Sequence, residues 1–371
     1  MRILANFGSI FGRHSGIFVS APQTRAFAFA SLLSLLAACG QDGTVISNPG
    51  SGGNGQGAAT STSSGTAGGG GEAGAGGGGS GGGGQGGSPS AKPLSVVNWN
   101  TRNFFNDKVD DPGGADTIGS NYLLTASEYK NKRDKVAGVL AGLNPDIAVL
   151  AEIENALVLK DLQSDLKTLG ADYPYSVLVQ TNDIREIAVL SKVELGAHKS
   201  HQDENFYRWG TFAPAYSYTR DCLEVPIVFN GKKIVLLAVH FRSKFSPDDP
   251  SKRLAEAQHT RDIADAITAA EPDTSVIVLG DFNDTPGSEP YNAVMNGNTQ
   301  AGVYVNASSQ AQPANSQWTY DFMGMLELID QQMSSPQLSP MLNLQSIQIL
   351  HTAASKDASD HSPVKASYNV K

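Results

Sequence analysis

The sequence predicts one large α/β domain over residues 93–371, and three observations carry that expectation. Short β-branched apolar runs alternate with runs of helical periodicity along this span. A strand–loop–helix–strand unit occurs twice. The span is also long enough to bury a substantial core.

The first strand is expected over Leu94–Trp99, delivering Asn100 and Arg102 at its end. A turn-rich loop with Asp107, Asp110 and Asp111-Pro112-Gly113-Gly114 follows. A helix should begin near Ser127, its N-cap, because Val136, Val139, Leu140 and Leu143 form one apolar face. Asn144-Pro145-Asp146 stops it, and Ile147–Ala151 reads as a buried strand running into Glu152-Ile153-Glu154-Asn155. A second helix over Ala156–Leu169 precedes shorter strands at Ser176–Val179 and Ile187–Ser191. Arg220 stands ahead of a strand at Glu224–Phe229, the dipeptide Asn230-Gly231 signals a hairpin, and Ile234–Val239 returns to end in His240. After a long helix from Ser251 to Ala270 and the stop Glu271-Pro272-Asp273, Val276-Ile277-Val278-Leu279 reads as a buried strand. It opens into Gly280-Asp281-Phe282-Asn283-Asp284.

Strand, polar residue, loop, helix, Pro-Asp stop, buried strand and acid thus appear in the same order twice. The polar residues are Asn100 and Glu152 in the first pass and His240 and Asp281 in the second. Ligands of α/β sheets bind at strand C-termini, so two such units place all four groups on one rim. Asn283 should accompany Asp281, with Phe282 packed inward between them, whereas Asp284 reads as a turn residue before Thr285-Pro286-Gly287. Residues 298–317 are polar and expected as surface loop. Glu327–Met333 fits one strand carrying Asp330, with Asp321 as the competing carboxylate. Ser359-Asp360-His361-Ser362-Pro363 precedes a last strand, Val364–Val370. Trp99, Trp209 and Trp318 read as packing residues, and so does Tyr320, with a bond to the site as its alternative; His198, His201, His259 and His351 show no partner pattern.

Ahead of the domain, Arg2, Arg13 and Arg25 precede a 13-residue apolar run, residues 26–38, too short to span a bilayer comfortably and suited to a signal peptide. Leu36-Ala37-Ala38-Cys39 resembles the bacterial lipoprotein box, which implies cleavage after residue 38 and lipid on Cys39. Residues 39–92 are Gly/Ser-rich and expected to be a disordered tether with a reach of roughly 40 Å. The resulting expectation is a domain of the bacterial cell envelope that meets the membrane only through its anchor. The 27 Lys and Arg stand against 36 Asp and Glu, and setting aside Arg2, Arg13, Arg25, Asp42 and Glu72 leaves the remainder near −10. No simple basic groove for nucleic acid is visible in that balance. With Cys39 lipidated, Cys222 has no intrachain partner and is expected to be buried and inert.

These motifs together resemble the endonuclease/exonuclease/phosphatase superfamily. Asn100-Thr101-Arg102-Asn103-Phe104-Phe105, Glu152-Ile153-Glu154-Asn155 and Trp318-Thr319-Tyr320-Asp321 resemble its secreted bacterial nuclease branch. The resemblance implies a four-layer α/β sandwich, two packed mixed β-sheets flanked by helices. It implies Mg²⁺ as cofactor, with Mn²⁺ or Ca²⁺ as alternatives, held by Glu152 with Asn100, Asp330 and Asp360 close by. Asp281 would orient or deprotonate the attacking water, Asn283 would hold a phosphate oxygen, and His361 would act on the phosphate or nucleophile. His240 would protonate the leaving group or stabilise the phosphorane. Arg102, Arg185 and Arg220 are candidates for substrate phosphate. The branch's Lys-Ser-Lys after the central His is here Arg242-Ser243-Lys244, which keeps the charge. Glu154 is expected behind the ligands rather than among them.

The implied activity is a nuclease acting on DNA or RNA as a monomer without obligate protein partners. The same fold also serves phosphatases and phospholipid phosphodiesterases, and a non-catalytic binding lipoprotein is the reading from another class. A lipid-cleaving enzyme should carry an exposed apolar hairpin, and none is evident in the sequence.

Overall fold

Two strand–helix–strand units build the two halves of the molecule. In the computed structural model, residues 90–109, 122–181, 183–244, 249–298 and 302–371 are described, and they belong to one compact unit, Gly81–Lys371. The proposed signal segment, Cys39 and the tether up to residue 89 lie outside the described residues, as does the loop at 110–121. Among the described residues no helix is long and apolar enough to cross a membrane.

The first half contains β1 (Lys92–Phe104), α1 (Ala126–Leu143), β2 (Ile147–Ile153), α2 (Ala156–Thr168), β3 (Tyr175–Leu178) and β4 (Glu186–Ser191). The second contains β5 (Lys199–Ser200), β6 (Cys222–Phe229), β7 (Lys232–His240), α3 (Asp249–Ala270), β8 (Ser275–Asp281), α4 (Glu289–Asn296), β9 (Val305–Asn306) and β12 (Asp330–Ser334). Between β9 and β12 stands a hairpin of β10 (Tyr320–Phe322) and β11 (Met325–Glu327). The chain then returns to the first half as β13 (Leu342–Ile349), α5 (Ala353–Ala358) and β14 (Val364–Val370). The sheets are ordered β13-β14-β1-β2-β4-β3 and β5-β6-β7-β8-β12-β9. Each has one parallel pair, β1 with β2 and β7 with β8, among antiparallel neighbours.

Alternation of side chains makes the layers. Leu94, Val96, Ile147 and Val149 of the first sheet meet Leu223, Val225, Leu236, Ala238, Ile277 and Leu279 of the second in one core. The opposite faces pack outward. Val97, Trp99, Ala148 and Leu150 lie under α1 and α2; Val235, Leu237, Val276 and Val278 lie under α3 and α4. The expected four-layer sandwich is the observed fold.

Several elements differ from expectation. Helix α1 is capped by Thr125, not Ser127: Thr125 Oγ1 accepts from the Glu128 amide while the Glu128 carboxylate accepts from the Thr125 amide, a reciprocal box that a lone Ser two residues on cannot match. Residues 298–317 are not simply surface loop. Val305–Asn306 is the edge strand of the second sheet, and Tyr304, Asn306, Ala307, Ser308 and Ala311 are buried. The expected strand at Glu327–Met333 is two elements, because Leu328-Ile329 ends the hairpin and β12 begins at Asp330. His201 and His259 do have partners: His201 lies 2.9 Å from Glu204 and 3.1 Å from Glu224, and His259 lies 2.9 Å from Glu204. Cys222 is buried, and burial pushes its thiol pKa up, as expected of an inert group.

Candidate active site

The register of the two sheets builds the site. Asn100 is in phase with Leu94 and Val96, His240 with Leu236 and Ala238, and Asp281 with Ile277 and Leu279. These side chains therefore belong to the face between the sheets, and they sit where the strands end. His240 pairs with Asp281 across β7–β8, and Asp281 with Asp330 across β8–β12. Three adjacent strands thus present an imidazole and two carboxylates side by side.

Glu152 arrives by a different route. Strict alternation after Ala148 and Leu150 would turn it under the helices. A register shift falls between Ala151 and Ile153, Glu152 adopts φ +65°, and Ile153 takes the place beneath the helices instead. The carboxylate is thereby swung to the rim. Arg102 (φ +52°), Asn103 (φ +45°) and Asn283 (φ +51°) are also left-handed, so four non-glycine residues of the site occupy a sparsely populated conformation.

Gly280 has its own reason. Its φ is +135°, and a Cβ there would stand 2.0 Å from the Val239 carbonyl oxygen. Only glycine lets β7 and β8 approach closely enough to bring His240 beside Asp281. Gly280→Ala should destabilise the fold by about 3 kcal/mol or more through strain and overpacking. Urea unfolding measures it, and a variant within 0.5 kcal/mol of the parent would contradict the argument.

At the centre, the Asn100 amide Nδ2 donates to Glu152 Oε1 at 3.1 Å and to Asp281 Oδ2 at 3.0 Å. Asn100 Oδ1 accepts from the Arg102 amide at 2.9 Å, which fixes the orientation. In this geometry Asn100 bridges the carboxylates, because an amide nitrogen has no lone pair to give a cation. His240 Nε2 lies 3.5 Å from Asp281 Oδ2 and 3.9 Å from Glu152 Oε1. His361 Nδ1 meets Asp330 Oδ2 at 2.8 Å, and its Nε2 points back to Asp281 Oδ2 at 4.0 Å. The His361 carbonyl accepts from Trp99 Nε1 at 2.8 Å, so this tryptophan also fixes the site.

Burial sets the titration. It would lower His361 by itself, but the charge and hydrogen bond of Asp330 outweigh it and push the imidazole up to about 10. His240 has no such partner. Burial, then the charges of Arg220, His361 and Arg185, hold it well below its ordinary value. Burial and then the charge of Asp330 push Asp281 up to about 7. Two imidazoles in one site are thus separated into a cation and a neutral ring.

The carboxylates fit a hard divalent cation. Their donors are all oxygen, and Glu152 retains access to the cleft. Asp330 Oδ1 and Asp360 Oδ1 are buried without a hydrogen-bond partner, a state that favours a cation nearby. Asp281, Asp330 and His361 have ligand atoms within 4.8 Å of one another. There, however, Asp330 Oδ2 and His361 Nδ1 are already joined to each other. Glu152, although both its oxygens accept hydrogen bonds, is the more exposed carboxylate and so the one a cation in the cleft meets first. Asp360 faces Arg102, whose Nε stands 3.3 Å from Asp360 Oδ2.

These groups form the floor of an open cleft of about 920 Å³. Arg102, Arg185, Arg220, Arg242 and Lys244 line it together with Asn283. The cleft therefore concentrates cations although the chain as a whole is acidic, and each is paired with a carboxylate: Arg102 with Asp360, Arg185 with Glu152 and Asp183, Arg220 with Asp183, Arg242 with Asp249, and Lys244 with Glu327. Asn283 donates its amide to the Phe241 carbonyl at 3.0 Å, and its backbone N–H holds Asp281 Oδ1 at 2.8 Å. Phe282 is buried against Phe241, with ring centroids 4.8 Å apart. Arg220 is buried and donates to the Phe241 carbonyl. Arg185 donates to Asn103 Oδ1 and lies over the ring of Phe105. Asp284 takes no part in the cleft floor, being paired with Arg253 at 2.8 Å. Glu154 stands behind, accepting from the Asn106 amide. Asp321 caps the hairpin turn through the Gly324 amide, so Asp330 is the carboxylate of the site.

Two features were not anticipated. Asn103 donates its backbone N–H to Glu152 Oε2 at 2.7 Å, a contact that follows from its left-handed φ and leaves no sequence periodicity. The β10–β11 hairpin exposes Phe322, Met323, Met325 and Leu326, contrary to the expectation that no apolar hairpin exists. Its signal was the run Phe322-Met323-Gly324-Met325-Leu326, apolar on both sides of a glycine.

The same architecture occurs in known proteins. The structure is similar to TDP2 from C. elegans, with a TM-score of 0.51 at 19% identity, covering 75% of this chain and 75% of that one. The human Nocturnin catalytic domain with bound sulfate gives 0.52 at 16% identity, covering 75% of this chain and 95% of that one. An endonuclease/exonuclease/phosphatase protein from Bacteroides vulgatus gives 0.50 at 15%, covering 76% and 100%. At these identities the likeness is one of fold. No curated protein matches the sequence significantly. The sequence profile of the Endonuclease/Exonuclease/phosphatase family matches residues 95–355. That match spans most of the chain and nearly all of the sandwich, and the chain belongs to this family of hydrolases.

Proposed function

We propose that this protein is a Mg²⁺-dependent phosphodiesterase that hydrolyses DNA or RNA, carried on a lipid-anchored tether at the bacterial cell envelope. The observation that carries the reading is the convergence of Glu152, Asp281, His240 and His361 at the floor of a cleft lined by five Arg and Lys side chains. A divalent cation would be held at Glu152, with Asp360 as a further oxygen donor, and would supply charge stabilisation at the non-bridging oxygens.

The chain's own residues supply the rest. Asp281, with a pKa near the working pH, orients the attacking water and takes its proton. His361, kept protonated by Asp330, donates from Nε2 to the phosphorane and gives that proton to the leaving oxygen as its bond to phosphorus breaks. His240 is neutral and faces the carboxylates through Nε2. It therefore stabilises the phosphorane as a hydrogen-bond donor rather than delivering a full proton to the leaving group. Arg185, Arg220 and Arg242 hold flanking phosphates, and Arg102 faces the same cleft.

A pH dependence follows with its signs. Asp281 works as the carboxylate, so the rate rises with pH through about 7, and a bound cation pulls that limb lower. His361 works as the imidazolium, so the rate falls as pH rises through about 10. A kcat/KM profile should be bell-shaped between these limbs, and a rate independent of pH from 5 to 11 would contradict both assignments.

A second reading has one observation in its favour. The exposed apolar hairpin suits a phospholipid phosphodiesterase. The full-length protein, assayed on single-stranded DNA, RNA, phosphatidylcholine vesicles and a phosphomonoester, with Mg²⁺ and with chelator, separates the readings. Metal-dependent cleavage of nucleic acid supports the first, and cleavage of the phospholipid alone overturns it.

A further inference from the structure

The β10–β11 hairpin has two unlike faces. Register pairs Phe322 with Met325 and Tyr320 with Glu327, and all four line the catalytic cleft. Asp321 and Leu326 pair on the other face. Phe322 is 46% exposed and Met325 59%, so the cleft wall carries an aromatic and a thioether that are each about half open to solvent. The Tyr320 and Phe322 rings are nearly parallel, at 16° with centroids 6.2 Å apart, and Tyr320 lies 4.7 Å from the ring of His361. The hairpin is also fastened. Tyr320 bridges to His361, and Lys244 meets Glu327 at 3.0 Å, joining β11 to the segment after His240. The apolar wall therefore begins at a catalytic imidazole and continues outward beside the cationic side of the cleft.

We propose that the face of this hairpin, with Phe322 at its centre, is a stacking platform for an unpaired nucleobase next to the scissile phosphate. The inference rests on the nucleic-acid reading of the site. A polyanion with flat apolar rings at its phosphate spacing is the ligand that uses both walls at once: the phosphates meet Arg185, Arg220 and Arg242, and the base meets Phe322 and Met325. A base within a duplex has its faces covered by its neighbours, so the platform selects single-stranded or frayed substrate. A membrane-inserting hairpin would direct its aromatic side chain away from the cleft; here Phe322 lines it.

The test uses the full-length protein and an oligonucleotide with one cleavable phosphodiester, its other linkages being phosphorothioates, which keep their charge and resist cleavage. Phe322→Ala should lower kcat/KM about tenfold, chiefly through KM. The loss should vanish when the base beside the cleavable linkage is replaced by an abasic residue, and Phe322→Trp should restore the parent rate. Wild-type protein should cleave the single strand faster than its duplex. An equal loss on the abasic substrate, or no loss at all, would overturn the platform while leaving the nuclease reading intact. Unchanged cleavage combined with lost binding to phosphatidylcholine vesicles would assign the hairpin to the membrane instead. Wild-type protein that cleaves no nucleic acid would overturn the underlying function, and the platform with it.

Discussion

Asp281→Asn is expected to lower kcat by about 10³-fold, within the range for loss of a general base, while leaving the fold intact. Asp281 is buried at the end of β8 and shares its two oxygens among the Asn283 backbone N–H, the Asn100 amide and the neighbourhood of both imidazoles. Asparagine keeps the volume and one acceptor but cannot take a proton from water. It also removes the negative charge that His361 faces. The measurement is single-turnover cleavage beside a urea unfolding curve for the same variant. Loss of activity with an unchanged midpoint supports the role, and activity within threefold of the parent would remove Asp281 from the chemistry.

The second large effect belongs to Asp330→Asn. Asp330 is fully buried and holds His361 Nδ1 at 2.8 Å, and its charge and hydrogen bond keep the imidazole protonated against burial. The sign is definite. A histidine raised in the folded state contributes stability that is complete below its ordinary value of about 6.5 and is lost as pH rises through about 10. Removing the carboxylate leaves burial opposed only by the charges of Asp281 and Asp360, so His361 should titrate lower and carry less charge at pH 7.5. We expect kcat at that pH to fall about 10²-fold and the alkaline limb of the rate profile to move down. Removal of the Asp330 charge should also lower the pKa of Asp281, whose elevation depends partly on it. NMR titration of the His361 ring follows the change directly. An imidazole still protonated at pH 8 in Asp330→Asn would show that Asp330 does not govern it.

Much of this site was legible because strand ends obey a period of two. The paired units beginning at Asn100 and His240 and ending at Glu152 and Asp281 are visible in the sequence, and the structure brings those four residues together. Phe282 also packs inward between Asp281 and Asn283 as its position requires. What the sequence hid depends on departures from periodicity. The bulge that swings Glu152 to the rim and the left-handed turn that lays Asn103 against it are backbone events without a hydropathy signal. The choice between Asp321 and Asp330 turned on where one strand ended and another began. A long apolar-and-polar run read as one strand concealed the hairpin that precedes Asp330. The cations were hidden for another reason: net charge sums over the surface, whereas the substrate meets only the cleft, where Arg and Lys are concentrated. Thr125 surpasses Ser127 as a cap because Glu128 completes its box, a pairing readable at the i, i+3 spacing.

The central claim is that the oxygens at Glu152 hold a divalent cation which the hydrolysis of a nucleic-acid phosphodiester requires. Its most direct test is cleavage of a single-stranded oligonucleotide by the full-length protein over a Mg²⁺ titration, run in parallel with Glu152→Gln. Cleavage should saturate with Mg²⁺ and stop with chelator, and Glu152→Gln should need at least tenfold more Mg²⁺ for half-maximal rate. Undiminished cleavage in chelator, or an unchanged Mg²⁺ requirement in Glu152→Gln, would contradict it.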